Sequence, residues 1–193
     1  PDRGRSEANP CREGWEPMSM RSAGDGILEV LRAYGVEYIF SSPGSEWPPL
    51  WDALAKAKSQ GLGPIFLNTR HEELAVNLAA GYQRYARKLP AVVLHSGVGP
   101  LKAAMSLRLA QHENSPMVVL AGDCAGFGEM PCPDPGAQWL RNLAQVGGVA
   151  TQVGPYVKRA AAVTSPELLF GMIEDSCRLA LTPPLGPVFL SIP

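Results

Sequence analysis

Short runs of mostly apolar residues, bounded by Gly, Pro or Ser, alternate along this chain with longer stretches of helical periodicity. Strands that are apolar along their whole length belong to sheets that helices cover on both faces. A regular alternation of such strands with helices is typical of stacked β-α-β units. The sequence therefore predicts an α/β fold, with a doubly wound, mainly parallel sheet and helices on both faces. The predicted strands are residues 36–40, 65–67, 91–94, 117–121, 149–153 and 188–192.

Helical periodicity separates these strands, and residues that favour caps and turns mark the helix ends. The last helix is predicted to open at Ser165, with Pro166 at N1 and Glu167 at N2. Residues 122–136 are rich in Gly and Pro and predict a long loop. The other predicted helices are residues 27–34, 46–58, 70–87, 101–112 and 137–146. One face of the helix at 70–87 forms the stripe expected of an amphipathic helix: Leu74, Leu78, Gly81, Tyr82 and Tyr85.

The composition is that of one soluble globular domain, because 46% of the 193 residues are hydrophobic and 18% are charged. The beginning of the chain is polar and aperiodic, so we expect residues 1–22 to be a disordered leader and residues 23–193 to be the domain. A formal net charge of −1 without a basic stripe argues against nucleic acid as a partner. No apolar run reaches the roughly 18–20 residues that cross a bilayer, and no signal peptide is apparent. We therefore expect a cytoplasmic protein with no membrane partner.

Metal-binding patterns are missing from the sequence. The four Cys residues show no C-x-x-C spacing, which predicts reduced thiols rather than a zinc knuckle or a redox dithiol. The three His residues are not paired at helical spacing. No transition-metal site is therefore predicted in this chain.

Thr69-Arg70-His71-Glu72 begins the helix at 70–87 and allows two interpretations. Its spacing is that of a capping box, in which Thr69 caps the helix and Glu72 returns a hydrogen bond. Alternatively, Glu72 lies at the rim of the crevice outside the strand ends, where ligands of open α/β sheets bind. Desolvation there would disfavour its ionised form and let it share a proton with a ring nitrogen of a ligand.

Two glycine-containing turns follow predicted strands at the same edge of the sheet. Ser96-Gly97-Val98-Gly99 follows the strand at 91–94, and Pro43-Gly44-Ser45 follows the strand at 36–40. Each is either a tight turn or a backbone corner that a ligand approaches closely. The first turn has Lys102 where the dinucleotide fingerprint needs its third glycine, so no Rossmann-type cofactor is predicted.

Six motifs occur along the chain in the order found in a known family. Together they resemble the N-terminal, pyrimidine-binding domain of the thiamine diphosphate-dependent family that includes acetolactate synthase, pyruvate oxidase and benzoylformate decarboxylase. The resemblance covers about residues 23–193 and implies the thiamine diphosphate-binding fold. The motifs are Pro43-Gly44, Arg70-His71-Glu72, Ala80-Gly81-Tyr82, Ser96-Gly97-Val98-Gly99, residues 116–122 and residues 186–193.

The resemblance implies a role for each residue that matches a family motif. Glu72 matches the catalytic glutamate that hydrogen-bonds N1′ of the aminopyrimidine and so promotes loss of the thiazolium C2 proton. Ser45 and His95 match the benzoylformate decarboxylase positions that contact the substrate carboxylate and relay protons, which makes His95 a second catalytic candidate. The other positions that match cofactor contacts are Pro43, Gly44, Gly97, Val98 and Gly99.

The activity implied is thiamine diphosphate-dependent decarboxylation or carboligation of 2-oxo acids, most similar to that of the acetolactate synthase large subunit, a transferase or lyase. The diphosphate-binding domain, which carries the Mg²⁺ ligands in the family, is then missing from this chain, and the fragment alone is expected to be inactive. Because the cofactor lies between domains of two chains in the family, a homodimer or tetramer is also implied. The sequence leaves FAD dependence open.

Several family features are absent, and they leave alternatives open. Leu101-Lys102 replaces a usual Thr-Asn pair, the His-His doublet of pyruvate decarboxylases is missing, and residues 122–136 lack the Phe-Gln pair of acetolactate synthases. Gly24-Asp25-Gly26 looks like the start of the family's Mg²⁺ motif but lacks its downstream Asn, so it is expected to lead into a helix. The alternatives are a benzoylformate decarboxylase-like enzyme, supported by Ser45 and His95, and a non-catalytic assembly module in which Glu72 is only a cap.

Overall fold

The computed structural model describes residues 22–123 and 148–193. Residues 1–21 of the predicted leader, the predicted helix at 137–146 and most of the predicted loop at 122–136 lie outside these residues. The described residues contain six strands: β1 (Tyr38–Ser42), β2 (Ile65–Asn68), β3 (Ala91–Leu94), β4 (Met117–Gly122), β5 (Arg159–Ala162) and β6 (Pro187–Ile192). The helices are α1 (Ala23–Ala33), α2 (Pro48–Ser59), α3 (Glu72–Ala86), α4 (Val98–His112), α5 (Val149–Val153) and α6 (Leu169–Ala180).

All strand pairs are parallel, and the strands form one sheet in the order β2-β1-β3-β4-β6-β5. Helices α1, α2 and α6 pack on one face of the sheet, where Leu31, Leu50 and Ile173 are buried. Helices α3, α4 and α5 pack on the other face, around buried Val76, Leu107 and Val153. The predicted doubly wound α/β fold is confirmed.

Gly24-Asp25-Gly26 lies in the first turn of α1. The Ser22 hydroxyl accepts a hydrogen bond from the Asp25 N–H at 3.1 Å, and the Asp25 carboxylate accepts one from the Ser22 N–H at 3.1 Å, which completes a capping box. A Cβ on Gly24 would overlap the carbonyl oxygen of Pro49 at the start of α2. The glycine therefore allows α1 to pack closely on α2.

The predicted strand at 149–153 is wrong, because these residues form helix α5. Val149 and Val153 are four residues apart on one helix face, and both are buried against the sheet. The edge strand β5 lies later in the chain, in the sequence Arg-Ala-Ala-Ala, which has neither β-branched nor aromatic residues. The last helix also begins later than predicted, since residues Pro166–Leu168 form a 3₁₀ turn before α6.

The predicted apolar face of α3 is also wrong. The residues that it buries are Glu72, Ala75, Val76 and Ala79, because small side chains let the helix lie close to the sheet. Tyr82 is partly buried and donates a hydrogen bond to Glu37 at 2.9 Å; burial raises its pKa to about 12. The large side chains of Leu74, Leu78 and Tyr85 are exposed.

Within the described residues, no helix is long and apolar enough to span a membrane. The same part of the chain contains no group of three or more His, Cys, Asp or Glu residues that could hold a metal ion. Cys177 is a free thiol in the core, and burial raises its pKa to about 12. This thiol is therefore neutral and shielded from solvent at physiological pH.

Candidate functional site

The carboxyl ends of β1 and β3 form the topological switch point of the sheet. From β1 the chain crosses to β2 on one side, and it then returns to β3 on the other side of β1. In open α/β sheets, ligands bind in the crevice outside such a point. The turns that follow β1 and β3 are therefore the expected location of a site.

Hydrogen bonds hold these two turns together. The His95 N–H donates to the Ser42 carbonyl at 3.0 Å, and the Ser41 hydroxyl donates to the Val93 carbonyl at 2.7 Å. The indole N–H of buried Trp47, at the N-cap of α2, donates to the Leu94 carbonyl at 3.1 Å. The start of α2 is therefore fixed relative to the end of β3.

Glu72 is the first residue of α3, and the capping box suggested by the sequence is not formed. The N-cap is His71, whose Nδ1 accepts a hydrogen bond from the Glu73 N–H at 3.4 Å. The Thr69 hydroxyl instead donates toward the carbonyl oxygens of Ser41, at 2.9 Å, and His71, at 3.0 Å. The capping-box interpretation is wrong because that motif requires the glutamate at N3, whereas Glu72 is at N1.

The carboxylate of Glu72 lies mostly inside the protein, and its side chain is 10% exposed. Nδ1 of His71 lies 4.0 Å from its Oε2. Among the described residues, no hydrogen bond to this carboxylate is formed. The carboxylate is therefore available to accept a hydrogen bond from a donor supplied from outside the chain.

The glycine turn after β3 brings Glu72 and His95 close to one backbone position, that of Gly99. Gly97 has φ +59° and is the N-cap of α4, which begins at Val98 rather than near residue 101 as predicted. A Cβ on Gly99 would lie 3.3 Å from Cβ of Leu94, 3.5 Å from Cβ of His95 and 3.6 Å from Cγ of Glu72. Gly99 is therefore close to both side chains, and Val98 beside it is half-buried.

His95 is paired with Glu46, a residue that the sequence did not single out. Its Nδ1 lies 2.9 Å from Oε1 and 3.0 Å from Oε2 of Glu46. The Ser96 N–H donates to Oε1 of Glu46 at 2.7 Å. An acidic residue directly after the Pro-Gly-Ser turn was the available signal, but nothing in the sequence links it to a histidine 49 positions away.

The residues of the turn after β1 differ in how closely they contact the site. Gly44 contacts the His95–Glu46 pair, because a Cβ at this position would overlap the imidazole and the carboxylate. Pro43 is half-buried beside it, whereas Ser45 is exposed and its hydroxyl forms no hydrogen bond with any described residue. The structure thus brings Gly44, Glu72, His95 and Gly99 together beyond the carboxyl ends of β1 and β3, and Ser45 next to Gly44 is exposed.

Comparison with known proteins relates this crevice to a family. A sequence profile of the family described as "Thiamine pyrophosphate enzyme, N-terminal TPP binding domain" matches residues 21–126, where thiamine pyrophosphate is the same compound as thiamine diphosphate. The acetolactate synthase large subunit of Haemophilus influenzae is 30% identical over 184 residues, which are 91% of this chain and 28% of that protein. The acetolactate synthase large subunit of Parasynechococcus marenigrum is 29% identical over 172 residues, 89% of this chain and 26% of that protein.

A solved structure supports the same relationship. Benzoylformate decarboxylase from Polynucleobacter necessarius superposes with a TM-score of 0.73 at 26% identity, over 90% of this chain and 30% of that one. The chain thus spans about a quarter to a third of the length of the proteins that it matches. By its profile match, which covers more than half of its residues, the chain belongs to the thiamine pyrophosphate enzyme family and corresponds to the N-terminal TPP-binding domain.

Proposed function

We propose that this chain is the pyrimidine-binding part of a thiamine diphosphate-dependent enzyme that decarboxylates and joins 2-oxo acids, similar to the acetolactate synthase large subunit. The observation that carries the proposal is Glu72, a buried carboxylate without a hydrogen bond among the described residues, at the switch point of the sheet. The two acetolactate synthase relatives support the reaction class. Residues 23–193 then form the domain, with residues 1–22 as a leader.

The residues present fit the aminopyrimidine ring of the cofactor. Glu72 has an uncommitted carboxylate for a ring nitrogen, and Gly99 leaves a space that a single Cβ would fill. The other residues that would contact the cofactor are Pro43, Gly44, Gly97 and Val98. When bound, thiamine diphosphate would supply a carbon nucleophile for the 2-oxo acid and would stabilise the electron pair that stays behind when carbon dioxide leaves.

The chain's own residues would bind and orient the cofactor and the substrate, and they would move protons. Glu72 would hold a proton between its carboxyl group and N1′ of the pyrimidine, in a pocket where its side chain is 10% exposed. His95 would exchange a proton with the substrate, and the Ser45 hydroxyl would contact the substrate carboxylate. The glycines at 97 and 99 would allow the backbone to approach the ring closely.

The remainder of the cofactor would be held outside this chain. By the resemblance to the family, we assign Mg²⁺ and the diphosphate to a second domain. The proposal places the enzyme in the cytoplasm, where its 2-oxo acid substrates would be dissolved.

The partner that completes the site would be a second copy of the chain. The exposed residues of α3 and α4 form one apolar surface, here named the α3/α4 surface: Leu74, Leu78, Tyr85, Leu101, Met105 and Leu109. Tyr85 is 92% exposed and Met105 74% exposed. Exposed apolar patches of this kind mark interaction sites, and a stable dimer buries about 800 Å² on each partner. This surface includes the helix that begins with Glu72, which would place the dimer contact beside the cofactor.

Met105→Lys is expected to convert a dimer into a monomer, because it buries a charge in the centre of the α3/α4 surface. Leu168→Lys is the matched control, since Leu168 is also an exposed apolar residue but lies just before α6, which packs on the opposite face of the sheet. Sedimentation equilibrium of wild type and both variants measures the effect. A monomeric wild type, or a Met105→Lys variant that still dimerises, would contradict the assignment of this surface.

Product stoichiometry tests the proposed reaction. The assay uses the complete gene product that contains this chain, supplied with thiamine diphosphate, Mg²⁺ and pyruvate, and it measures pyruvate consumed against carbon dioxide released. Carboligation of the acetolactate synthase type consumes two pyruvate molecules for each carbon dioxide, whereas simple decarboxylation consumes one and releases an aldehyde. One 2-oxo acid consumed for each carbon dioxide released, with benzoylformate as a better substrate than pyruvate, would support the second candidate function, a benzoylformate decarboxylase-like enzyme. The position of His95 and the similarity to benzoylformate decarboxylase favour this candidate. No cofactor-dependent consumption of any 2-oxo acid would refute both.

A further inference from the structure

We propose that Glu46 is a positioning residue that holds His95 as the Nδ1–H tautomer and leaves Nε2 free for proton exchange in the crevice. The catalytic part of this inference rests on the proposed function, in which His95 moves a proton. The geometric part rests only on contacts within the chain. No family motif singled out in the sequence includes Glu46.

In the hydrogen bond between the two side chains, His95 donates and Glu46 accepts. Both oxygens of Glu46 lie within 3.0 Å of Nδ1 of His95. An ionised carboxylate can only accept, so the proton between them belongs to Nδ1. In a neutral imidazole the proton on one nitrogen makes the other an acceptor, so Nε2 carries the lone pair.

The carboxylate of Glu46 is itself held in place by a backbone hydrogen bond. The Ser96 N–H donates to Oε1 at 2.7 Å, the short distance expected when the acceptor is charged. The Glu46 side chain is 17% exposed and that of His95 is 25% exposed, so water competes only weakly for the pair. The backbone that follows His95 thus helps to hold the carboxylate that orients the imidazole.

Two glycines leave the space that the side chains of Glu46 and His95 occupy. A Cβ on Gly44 would overlap both the His95 ring and the Glu46 carboxylate, and a Cβ on Gly122 would overlap the Glu46 side chain. Gly122 is the last residue of β4, and Gly44 follows β1. The ends of three neighbouring strands, β1, β3 and β4, therefore converge on one carboxylate.

These contacts give Nε2 a defined role. With Nδ1 committed to Glu46, only Nε2 can accept a proton from a substrate or return one to it. Exchange of that proton leaves the ring in place, because the anchoring hydrogen bond involves the other nitrogen. The orientation of a histidine by a carboxylate is a general way of selecting one tautomer for proton transfer.

The tautomer of His95 can be measured directly by long-range ¹H–¹⁵N correlation NMR on the ¹⁵N-His-labelled chain, at a pH where imidazoles are neutral. We expect His95 in the Nδ1–H form. His71 is an internal reference of the opposite kind, because its Nδ1 accepts a hydrogen bond and its proton must lie on Nε2. Glu46→Ala should convert His95 to the Nε2–H form, whereas Glu46→Gln, which retains an acceptor oxygen, should largely preserve the Nδ1–H form.

A second variant guards against a loss of folding in Glu46→Ala. Gly122→Ala should displace Glu46 and change the His95 tautomer while every titratable group remains in the chain. Gly81→Ala is its control, because a Cβ there meets no atom within 4 Å. An Nε2–H form of His95 in the wild type, or an unchanged tautomer in both folded variants, Glu46→Ala and Gly122→Ala, would overturn the proposal.

The catalytic consequence is tested separately in the complete gene product. Glu46→Ala should lower kcat by about 10²-fold, the lower end of general acid–base contributions, and Glu46→Gln should restore most of the loss. Exchange of the thiazolium C2 proton should be unaffected, since Glu72 is unchanged. A wild-type protein without cofactor-dependent turnover would refute the proposed function but not the tautomer. A normal kcat in Glu46→Ala would refute the positioning role but not the proposed function.

Discussion

Glu72→Gln is expected to lower the turnover of 2-oxo acid by about 10²–10⁴-fold, the range of general acid–base catalysis. A glutamine has the size of the glutamate, but it cannot hold or release a proton between its side chain and N1′ of the pyrimidine. The chain should remain folded, because the Glu72 side chain is not part of a capping box and accepts no hydrogen bond from the described residues. This variant should therefore lose activity while it keeps its stability.

The measurement is the rate of deuterium exchange at the thiazolium C2 position, together with pyruvate turnover, in the complete gene product. Glu73→Gln is the matched control, since Glu73 is in the same first turn of α3 but its side chain is exposed. Both substitutions remove one negative charge near the helix N-terminus, worth about 0.3–1 kcal/mol of helix stabilisation. Equal, small effects of the two variants would contradict the role proposed for Glu72 and would favour a non-catalytic assembly module.

The layered architecture could be predicted because the central strands β3 and β4 are apolar. β3 and β4 are buried at every residue, which is only possible when helices cover both faces. The turn at Gly97 was also predictable, since glycine tolerates its positive φ without strain. These features depend on local sequence, and they position the crevice at the ends of β1 and β3.

Features that depend on distant contacts could not be predicted. The valines at 149 and 153 suit a strand and a helix equally, and tertiary packing selects the helix α5. The burial of Ala75 and Ala79 in place of larger neighbours depends on how closely α3 approaches the sheet. Glu46 meets His95 only because the order of the strands brings the turns after β1 and β3 together.

Phe189→Ala is expected to lower the free energy of unfolding by about 3–5 kcal/mol, the range for removing a fully buried aromatic side chain. Phe189 is fully buried in β6, where it is paired with Val119 of β4 on one side and Ala160 of β5 on the other. The hydrogen-bonded strands β4 and β5 hold β6 in place on both sides, so the cavity left by the missing side chain cannot collapse. α5 packs over the same region through Val149 and Val153.

Urea unfolding of wild type and variant, monitored by circular dichroism, measures this loss as a shift of the midpoint at constant slope. Phe170→Ala is the control, because Phe170 is 41% exposed on α6 and its removal should cost only about 1 kcal/mol. The comparison also tests the location of α5, since a strand at 149–153 would not cover Phe189 in this way. A loss no larger than that of Phe170→Ala would mean that the α3–α4–α5 face of the sheet is loosely packed. The Glu72 crevice would then lack the rigid support that proton transfer between fixed groups requires.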